Sequence, residues 1–152
     1  MADTQLVELD EQPTAVIRAV IATNEIVAFF DRAFGAVMQT LAAQGVAPAG
    51  PPFALYHGMP TDTIELEAGF PVAAAVEPAG DVVPGTLPGG RAVQAMHQGP
   101  YDTLPTTYAE VRQRLAEEGF EPGPHVWECY LTDPQEQPDP ETWQTLVVWP
   151  AA

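Results

Sequence analysis

The sequence contains no serine, a single cysteine and few basic residues. Without serine, the chain cannot use a serine nucleophile of any kind. Cys129 stands alone, which excludes an internal disulfide and a zinc site built from several cysteines. No apolar run reaches the length of a membrane span, and the first residues lack the basic and apolar segments of a secretion signal. We therefore expect a cytoplasmic protein that does not enter a membrane.

The charge of the chain is strongly negative. Five Lys and Arg residues stand against 21 Asp and Glu residues, which gives a formal net charge of −16. Such a field repels nucleic acid and anionic membranes and attracts cations, so we expect no binding of nucleic acid by this chain alone. The alternative is that the acidity serves only solubility. In both cases, cationic partners for a buried carboxylate are scarce within the chain.

No motif indicates a metal or a cofactor. The three histidines, His57, His97 and His125, have no partners at the spacing of a metal site. The glycines of 85–90 lack the lysine and the following helix that a phosphate-binding loop needs. We expect neither a metal nor a cofactor.

The hydrophobic pattern predicts two helices among short strands. Apolar residues recur at intervals of three and four between Glu25 and Gly45, and again between Leu104 and Gly119. A glycine after such a stripe indicates a helix end, since the closing residue often has a positive φ. Residues 77–89 are rich in proline and glycine, which predicts an exposed loop.

Two parts of the chain share this pattern at an offset of 74 residues, which carries Gly45 to Gly119. The offset predicts an internal duplication within a single domain 1–152, with pseudo-repeats at about 5–76 and 90–150 that loop 77–89 joins. Each repeat reads strand, helix, strand, strand. The predicted fold is therefore α+β, with both helices packed on one side of a joined, curved antiparallel sheet and a ligand cleft at the seam.

The stretch 125–131 is apolar and aromatic but carries a carboxylate at its centre. On a strand, Val126, Glu128 and Tyr130 point to the same face. An ionised carboxylate that leaves water costs several kcal/mol unless a partner compensates it. Glu128 is thus either on a solvated face or in need of a positive partner. The offset of 74 places it on Ala54, so the two repeats differ at this charged position.

Four short motifs occur in order along residues 5–150: 87–91 (LPGGR), 97–101 (HQGPY), 127–134 (WECYLTDP) and 147–150 (VVWP). Together they resemble the GyrI-like small-molecule-binding family, also met as the effector-binding domain of AraC- and MerR-type multidrug regulators. The resemblance implies that lipophilic, cationic or aromatic compounds bind in a cleft around a central glutamate, which matches Glu128. No residues remain for a helix-turn-helix, so the resemblance is to a stand-alone member.

Aromatic side chains are the candidates for contact with such a ligand. We expect five of them near Glu128, with core packing as the alternative for each: Tyr56, Tyr101, Trp127, Tyr130 and Trp143. Strict alternation puts Trp127 on the face opposite Glu128, so it reaches the site only if the strand is bulged or twisted. Tyr108 lies on the apolar stripe of the second helix, which indicates a core residue. Cys129 also points away from Glu128, as an inert thiol.

Two functions follow from these residues, and the sequence does not separate them. The first is a small-molecule-binding module of multidrug type, in which Glu128 supplies charge and the aromatic residues stack on the ligand. The second is a hydrolase of strained, cyclopropane-bearing genotoxic compounds, an activity that the resemblance implies for some members. There Glu128 is the general acid or base, and Tyr56 or Tyr101 stabilises developing charge. A protein partner such as gyrase has no motif in the chain.

Overall fold

The computed structural model describes residues 3–58, 61–132 and 136–152. The chain divides into two compact units. We call residues 10–89 the Ala54 unit, and we call residues 90–152 together with the segment up to Leu9 the Glu128 unit. Each unit contains antiparallel strands and one long helix, which confirms the predicted α+β class.

The Ala54 unit places one helix on an antiparallel sheet. Its elements are β2 (Gln12–Ala22), α1 (Ile26–Gln44), β3 (Phe53–His57), β4 (Thr63–Pro71) and β5 (Val82–Leu87). The strand order is β3-β4-β2-β5. The buried side of α1 faces β2 and β4 and consists of residues spaced by four: Phe29, Ala33, Val37 and Leu41. This spacing is the stripe that the sequence predicts.

The Glu128 unit has the same kind of layout. Its elements are β1 (Thr4–Leu9), β6 (Gly90–Gln98), α2 (Leu104–Glu117), β7 (His125–Tyr130) and β8 (Gln144–Pro150). The strand order is β1-β6-β8-β7. Helix α2 lies on β6 and β8, and its buried residues are Leu104, Thr107, Val111 and Leu115.

Glycine ends both helical segments as the sequence predicts. Gly45 adopts a left-handed φ of 68°, and its N–H donates to carbonyls of the last helical turn. Gly119 has a φ of 83° and closes α2 in a similar way. A side chain at either position would strain the backbone, since only glycine adopts such φ values without cost.

The prediction of a loop over 77–89 is wrong for its second half. Residues 82–87 form β5, which pairs with β2, and both Val82 and Leu87 are buried. The prediction was wrong because a proline such as Pro84 usually indicates a loop. In an edge strand, proline is tolerated where its nitrogen faces away from the neighbouring strand, and β5 is the last strand of its sheet.

The boundaries of the predicted repeats also differ from the structure. Residues 5–9 were expected in the first repeat, but β1 pairs with β6 and belongs to the Glu128 unit. Each unit therefore has a strand-helix-strand-strand core plus one further strand, which is β5 in one unit and β1 in the other. The duplication itself stays a prediction.

The helical stretch Thr23–Gln44 has the length and mean hydropathy of a membrane-crossing helix. This corrects the expectation that no apolar run of the chain reaches the length of a membrane span. This finding concerns length and composition only, and a helix in the core of a folded protein meets the same criterion. In the structure α1 packs on β2 and β4, and Asp31 and Arg32 interrupt its apolar sequence. The predicted cytoplasmic location stays a prediction.

Candidate functional site

Glu128 is a buried carboxylate at the centre of β7. It pairs with Val147 of β8. The residues of β7 on either side of it pair one to one with the adjacent residues of β8, so the register between the two strands has no bulge. Only 7% of its surface is exposed. The alternative of a solvated strand face is thereby excluded. Burial of a carboxylate requires hydrogen-bond partners or a counter-charge to offset the loss of hydration.

Two tyrosine hydroxyls supply those hydrogen bonds. The hydroxyl of Tyr130, on the same strand and the same face, donates to Oε1 of Glu128 at 2.8 Å. The hydroxyl of Tyr108, from α2, donates to Oε2. Each oxygen of the carboxylate thus accepts a hydrogen bond from a phenol hydroxyl. Within the described residues, none of the ion pairs involves Glu128.

The environment raises the pKa of Glu128 above the ordinary glutamate value. Burial is the main cause, because it disfavours the charged carboxylate. The hydrogen bonds from Tyr108 and Tyr130 act in the opposite direction, and so does the electrostatic interaction with His97. A cation beside Glu128 would stabilise the ionised form that burial disfavours.

Aromatic rings continue from Glu128 in two directions. The Tyr130 ring meets the Tyr101 ring edge-on, with centroids 6.0 Å apart, and Tyr101 lies 4.9 Å from Trp143. On the other side, Tyr108 meets Trp149 edge-on at 6.1 Å. We call this group the Glu128 cluster, and its members are Glu128, Tyr101, Tyr108, Tyr130, Trp143 and Trp149.

His97 anchors the turn that carries Tyr101. The hydroxyl of Thr103 donates to the carbonyl of Pro100 at 2.8 Å, so it accepts the Nε2 proton of His97 at 2.9 Å. Nε2 also lies 3.0 Å from the Pro100 carbonyl. On its other side, Nδ1 of His97 lies 2.7 Å from the hydroxyl of Thr107 on α2. His97 therefore ties β6 to both the turn and the helix that present tyrosines of the cluster.

The structure brings three of the five predicted aromatic residues into this cluster, namely Tyr101, Tyr130 and Trp143. Trp127 is buried, and the unbroken β7–β8 register shows no bulge that would turn it toward Glu128. Its side chain therefore lies on the face opposite Glu128, and its predicted role in binding stays a prediction. Tyr56 is a buried residue of β3 in the Ala54 unit, and its predicted role stays a prediction.

Sequence reasoning missed Tyr108, Trp149 and His97. Tyr108 was assigned to the core because it lies on the apolar stripe, but it is half-buried and donates to Glu128. A signal was available: at the offset of 74, Tyr108 falls on Phe34, and a hydroxyl added to an apolar stripe indicates a polar partner.

Cys129 has no place in this chemistry. Burial and then the negative charge of Glu128 raise the pKa of its thiol to about 12. The thiol is therefore protonated at neutral pH and a poor nucleophile. Among the described residues, no group of three or more His, Cys, Asp or Glu side chains could hold a metal ion.

The family of the chain follows from its sequence. A family model described as the GyrI-like small molecule binding domain matches residues 2–152. The chain belongs to the GyrI-like family. A search of curated proteins by sequence finds no match.

Several solved structures have the same fold as this chain, and the proteins they come from are described in different ways. The EcmrR C-terminal domain superposes with a TM-score of 0.86 at 19% identity, over 100% of this chain and 98% of that one. A hydrolase encoded by lin2189 from Listeria innocua gives a TM-score of 0.69 at 16% identity, over 99% and 92% of the chains. SAV2435 bound to tetraphenylphosphonium gives 0.62 at 13% identity, over 99% and 94%. At these identities the likeness concerns the fold.

Proposed function

We propose that this GyrI-like domain binds lipophilic cations and aromatic compounds of multidrug type at the Glu128 cluster. The observation that carries the proposal is a buried carboxylate with two phenol donors and, within the described residues, no ion pair. A cationic ligand supplies the counter-charge that Glu128 lacks. SAV2435, a structural neighbour, is bound to tetraphenylphosphonium, which is a ligand of this class.

The aromatic members of the cluster give the proposed site its apolar character. The rings of Tyr101, Tyr130 and Trp143 form a continuous series beside the carboxylate. A cation over the face of one such ring gains about 0.5–2 kcal/mol, with the larger values in desolvated sites. Ligands with delocalised charge fit best, since they lose less hydration energy on burial than compact ammonium ions do.

The decisive experiment compares a cation with a neutral molecule of similar shape. Glu128→Gln removes the charge but keeps the size of the side chain. We expect it to weaken tetraphenylphosphonium binding at least tenfold, or about 1.4 kcal/mol, in isothermal titration calorimetry. Binding of the neutral triphenylphosphine oxide should change far less. Equal losses for both compounds would contradict a role for the charge.

A matched control is available in the Ala54 unit. Glu67 is as buried as Glu128, but it pairs with His57 at 2.6 Å and with Arg18 at 3.5 Å. Glu67→Gln thus removes a buried carboxylate that already has an arginine and a histidine as partners. This variant should bind tetraphenylphosphonium as the unaltered protein does. Circular dichroism of both variants checks that each one folds.

The raised pKa of Glu128 favours one alternative function, hydrolysis of strained cyclopropane-bearing compounds. A carboxyl whose pKa is raised by burial holds its proton more tightly than an ordinary glutamate does, and in the protonated form it can act as a general acid. The hydroxyls of Tyr108 and Tyr130 would stabilise the carboxylate after it has given up its proton. A test is the turnover of a reactive cyclopropane-bearing compound, followed by mass spectrometry in ¹⁸O-labelled water. Product above the buffer rate, lost in Glu128→Gln while binding persists, would support the enzyme.

A further inference from the structure

Strand β8 carries a buried hydroxyl close to Glu128. Thr145 has no exposed surface, and its Oγ1 has no hydrogen-bond partner within the described part of the chain. A buried polar group without a partner costs free energy. Valine has nearly the same shape and lacks the hydroxyl, so packing alone does not explain a threonine at this position. The hydroxyl therefore needs a partner that the described residues do not supply.

Strand pairing places the side chain of Thr145 beside the Glu128 cluster. Thr145 pairs with Tyr130 of β7 on one side and with His97 of β6 on the other. Directly paired residues of neighbouring strands project to the same face of a sheet. The ring of His97 bonds Thr107 of α2, so this is the face that α2 covers. The Thr145 side chain thus lies on the α2 side of the sheet, between the side chains of His97 and Tyr130.

The polar neighbours of Thr145 already have other partners. Both ring nitrogens of His97 bond groups of residues 100–107. The hydroxyl of Tyr130 donates its proton to Oε1 of Glu128, and Oε2 of Glu128 accepts from Tyr108. A threonine hydroxyl can donate one hydrogen bond and accept others. The hydroxyl of Thr145 is therefore an unused donor and acceptor next to the buried carboxylate.

The corresponding position of the Ala54 unit is apolar. Tyr130 corresponds to Tyr56 at the offset of 74 residues. The β8 partner of Tyr130 is Thr145, and the β4 partner of Tyr56 is Leu66. Leu66 is fully buried, and its side chain needs no hydrogen bond. The buried hydroxyl thus occurs only in the unit that holds the buried Glu128.

Glu128 and Thr145 are close enough to contact one ligand. Thr145 pairs with Tyr130, which lies two residues after Glu128, so Glu128 and Thr145 are diagonal neighbours on one face of the sheet. Diagonal neighbours of this kind lie about 7 Å apart. That separation suits a molecule whose positive charge and polar group are attached to opposite ends of one aromatic ring.

We propose that Thr145 is a second recognition residue of the site, and that the ligand is a lipophilic cation with a neutral hydroxyl group one aromatic ring away from its charge. This inference rests on the function proposed for the Glu128 cluster and narrows its ligand class. Glu128 compensates the charge, and the Thr145 hydroxyl bonds the hydroxyl of the ligand. Both side chains are buried, so the ligand enters when Tyr101, the most exposed ring of the cluster, moves away from Tyr130.

Two matched cations test this hydrogen bond. They are [4-(hydroxymethyl)phenyl]triphenylphosphonium and (4-ethylphenyl)triphenylphosphonium, which differ by a hydroxyl in place of a methyl group. Thr145→Val removes the protein hydroxyl and keeps the shape of the side chain. We expect the ratio of the hydroxymethyl to the ethyl affinity, measured by calorimetry on the full chain, to fall about fivefold or more in this variant, since the hydroxyl of the ligand is then buried without its partner. An unchanged ratio would overturn the proposal.

Thr14 of β2 provides the matched control variant. It is 1% exposed, and its Oγ1 also has no hydrogen-bond partner among the described residues, but it belongs to the Ala54 unit. Thr14→Val should leave the ratio of the two affinities unchanged, and an equal fall in both variants would overturn the assignment to Thr145. If both cations bind and both weaken in Glu128→Gln, but Thr145→Val does not change their ratio, only the role of Thr145 fails. If neither cation binds, the proposed function fails and this inference fails with it.

The stability of the ligand-free protein gives an independent measurement. Thr145→Val should not lower the free energy of unfolding in urea, because in the absence of a ligand the hydroxyl has no hydrogen bond to lose. Thr14→Val should behave in the same way. A clear loss of stability in Thr145→Val alone, or its failure to fold by circular dichroism, would mean that a buried water or a protein group already bonds this hydroxyl. That result would overturn the proposal.

Discussion

The two units use the same arrangement of a helix on a sheet for different chemistry. Tyr108 corresponds to Phe34 at the offset of 74 residues. Trp149 corresponds to Phe70 through strand pairing, because Trp149 lies two residues after the partner of Glu128, Val147, and Phe70 lies two residues after the partner of Ala54, Ala68. The ring pair Tyr108 and Trp149 of one unit thus matches the pair Phe34 and Phe70 of the other. The first pair meets edge-on at 6.1 Å and 84°, and the second meets edge-on at 6.0 Å and 70°. The geometry is thus preserved, but the hydroxyl is present only on Tyr108.

The difference at the strand position explains that hydroxyl. Glu128 in one unit corresponds to Ala54 in the other, and Ala54 has no exposed surface. A methyl group needs no hydrogen-bond donor, so phenylalanine suffices opposite it. A buried carboxylate needs donors, and Tyr108 supplies one from the helix. The comparison teaches that the two positions differ together: one unit has a carboxylate with a phenol donor where the other has a methyl group and a phenyl ring.

The Ala54 unit also contains a buried carboxylate, but this carboxylate has partners of a different kind. Glu67 of β4 has a histidine and an arginine as partners. Its charge is therefore compensated within the unit. Glu128 receives only phenol hydrogen bonds and has no ion pair among the described residues. The two buried carboxylates therefore differ in their partners, which are a histidine and an arginine for Glu67 and two phenol hydroxyls for Glu128.

The largest effect on stability should come from placing a carboxylate at position 54 of the Ala54 unit. Ala54→Glu buries a charge where the helix offers Phe34 instead of a hydroxyl. We expect it to destabilise the protein by about 3–5 kcal/mol, the usual cost of an uncompensated buried charge. The free energy of unfolding in urea at neutral pH measures this cost. Ala54→Gln is the control for size, and the double variant Ala54→Glu, Phe34→Tyr should recover part of the loss. No recovery would contradict the coupling of the two positions.

The next effect concerns the hydroxyl itself. Tyr108→Phe removes a hydrogen bond to a carboxylate, which contributes about 1.5–3 kcal/mol. We expect a loss of that size in the free energy of unfolding above the pKa of Glu128 and a smaller loss below it. The reverse change, Phe34→Tyr, gains no carboxylate partner at Ala54 and should alter the stability by less than about 1 kcal/mol. Equal effects of the two changes would show that the hydroxyl of Tyr108 does not act through Glu128.

Much of this comparison could be read from the sequence, because it depends on spacing. The period of two on a strand put Tyr130 beside Glu128, and the structure confirms that pairing. The offset of 74 aligned Glu128 with Ala54. Gly45 and Gly119 marked both helix ends. These features are local, and local chain geometry determines them.

The remainder depends on contacts between elements, which a single sequence does not contain. Tyr108 reaches Glu128 only because of the rotation of α2 about its axis relative to β7, and periodicity does not determine that rotation. Strand β5 was missed because proline and glycine usually indicate loops. Whether such a segment pairs as an edge strand depends on the neighbouring strand, here β2.

A third prediction concerns the pH dependence of stability. Burial raises the pKa of Glu128 in the folded protein, so the folded state holds this proton more tightly than the unfolded chain does. The stability from Glu128 is therefore fully present below the ordinary glutamate pKa and is lost as pH rises through the raised folded value. Glu128→Gln does not titrate. The free energy of unfolding of the unaltered protein minus that of the variant should thus fall as the pH rises from the ordinary glutamate pKa through the raised pKa of folded Glu128.

The control for this measurement is a ligand. With saturating tetraphenylphosphonium, the difference in the free energy of unfolding between the unaltered protein and Glu128→Gln should fall less with pH. The reason is that a bound cation stabilises the ionised form of Glu128 and lowers its pKa. Binding should release protons at pH values below the raised pKa, and calorimetry in buffers of different ionisation enthalpy measures that release. If the difference in the free energy of unfolding between the unaltered protein and Glu128→Gln does not change with pH, that result would contradict a raised pKa of Glu128.

The smallest effect is expected at Cys129, the neighbour of Glu128 on β7. Its thiol pKa is raised to about 12 by burial first and by the charge of Glu128 second. Glu128→Gln removes only the second cause, so we expect the thiol pKa to fall by less than about one unit, or 1.4 kcal/mol. The thiolate absorbance near 240 nm, followed in alkaline titrations of the folded protein, measures the change. Ala54→Gln, which alters the corresponding position of the other unit, should leave the thiol titration unchanged. An unchanged titration in Glu128→Gln would indicate that Glu128 carries no charge beside the thiol, and the proposed attraction of cations would then lose its physical basis.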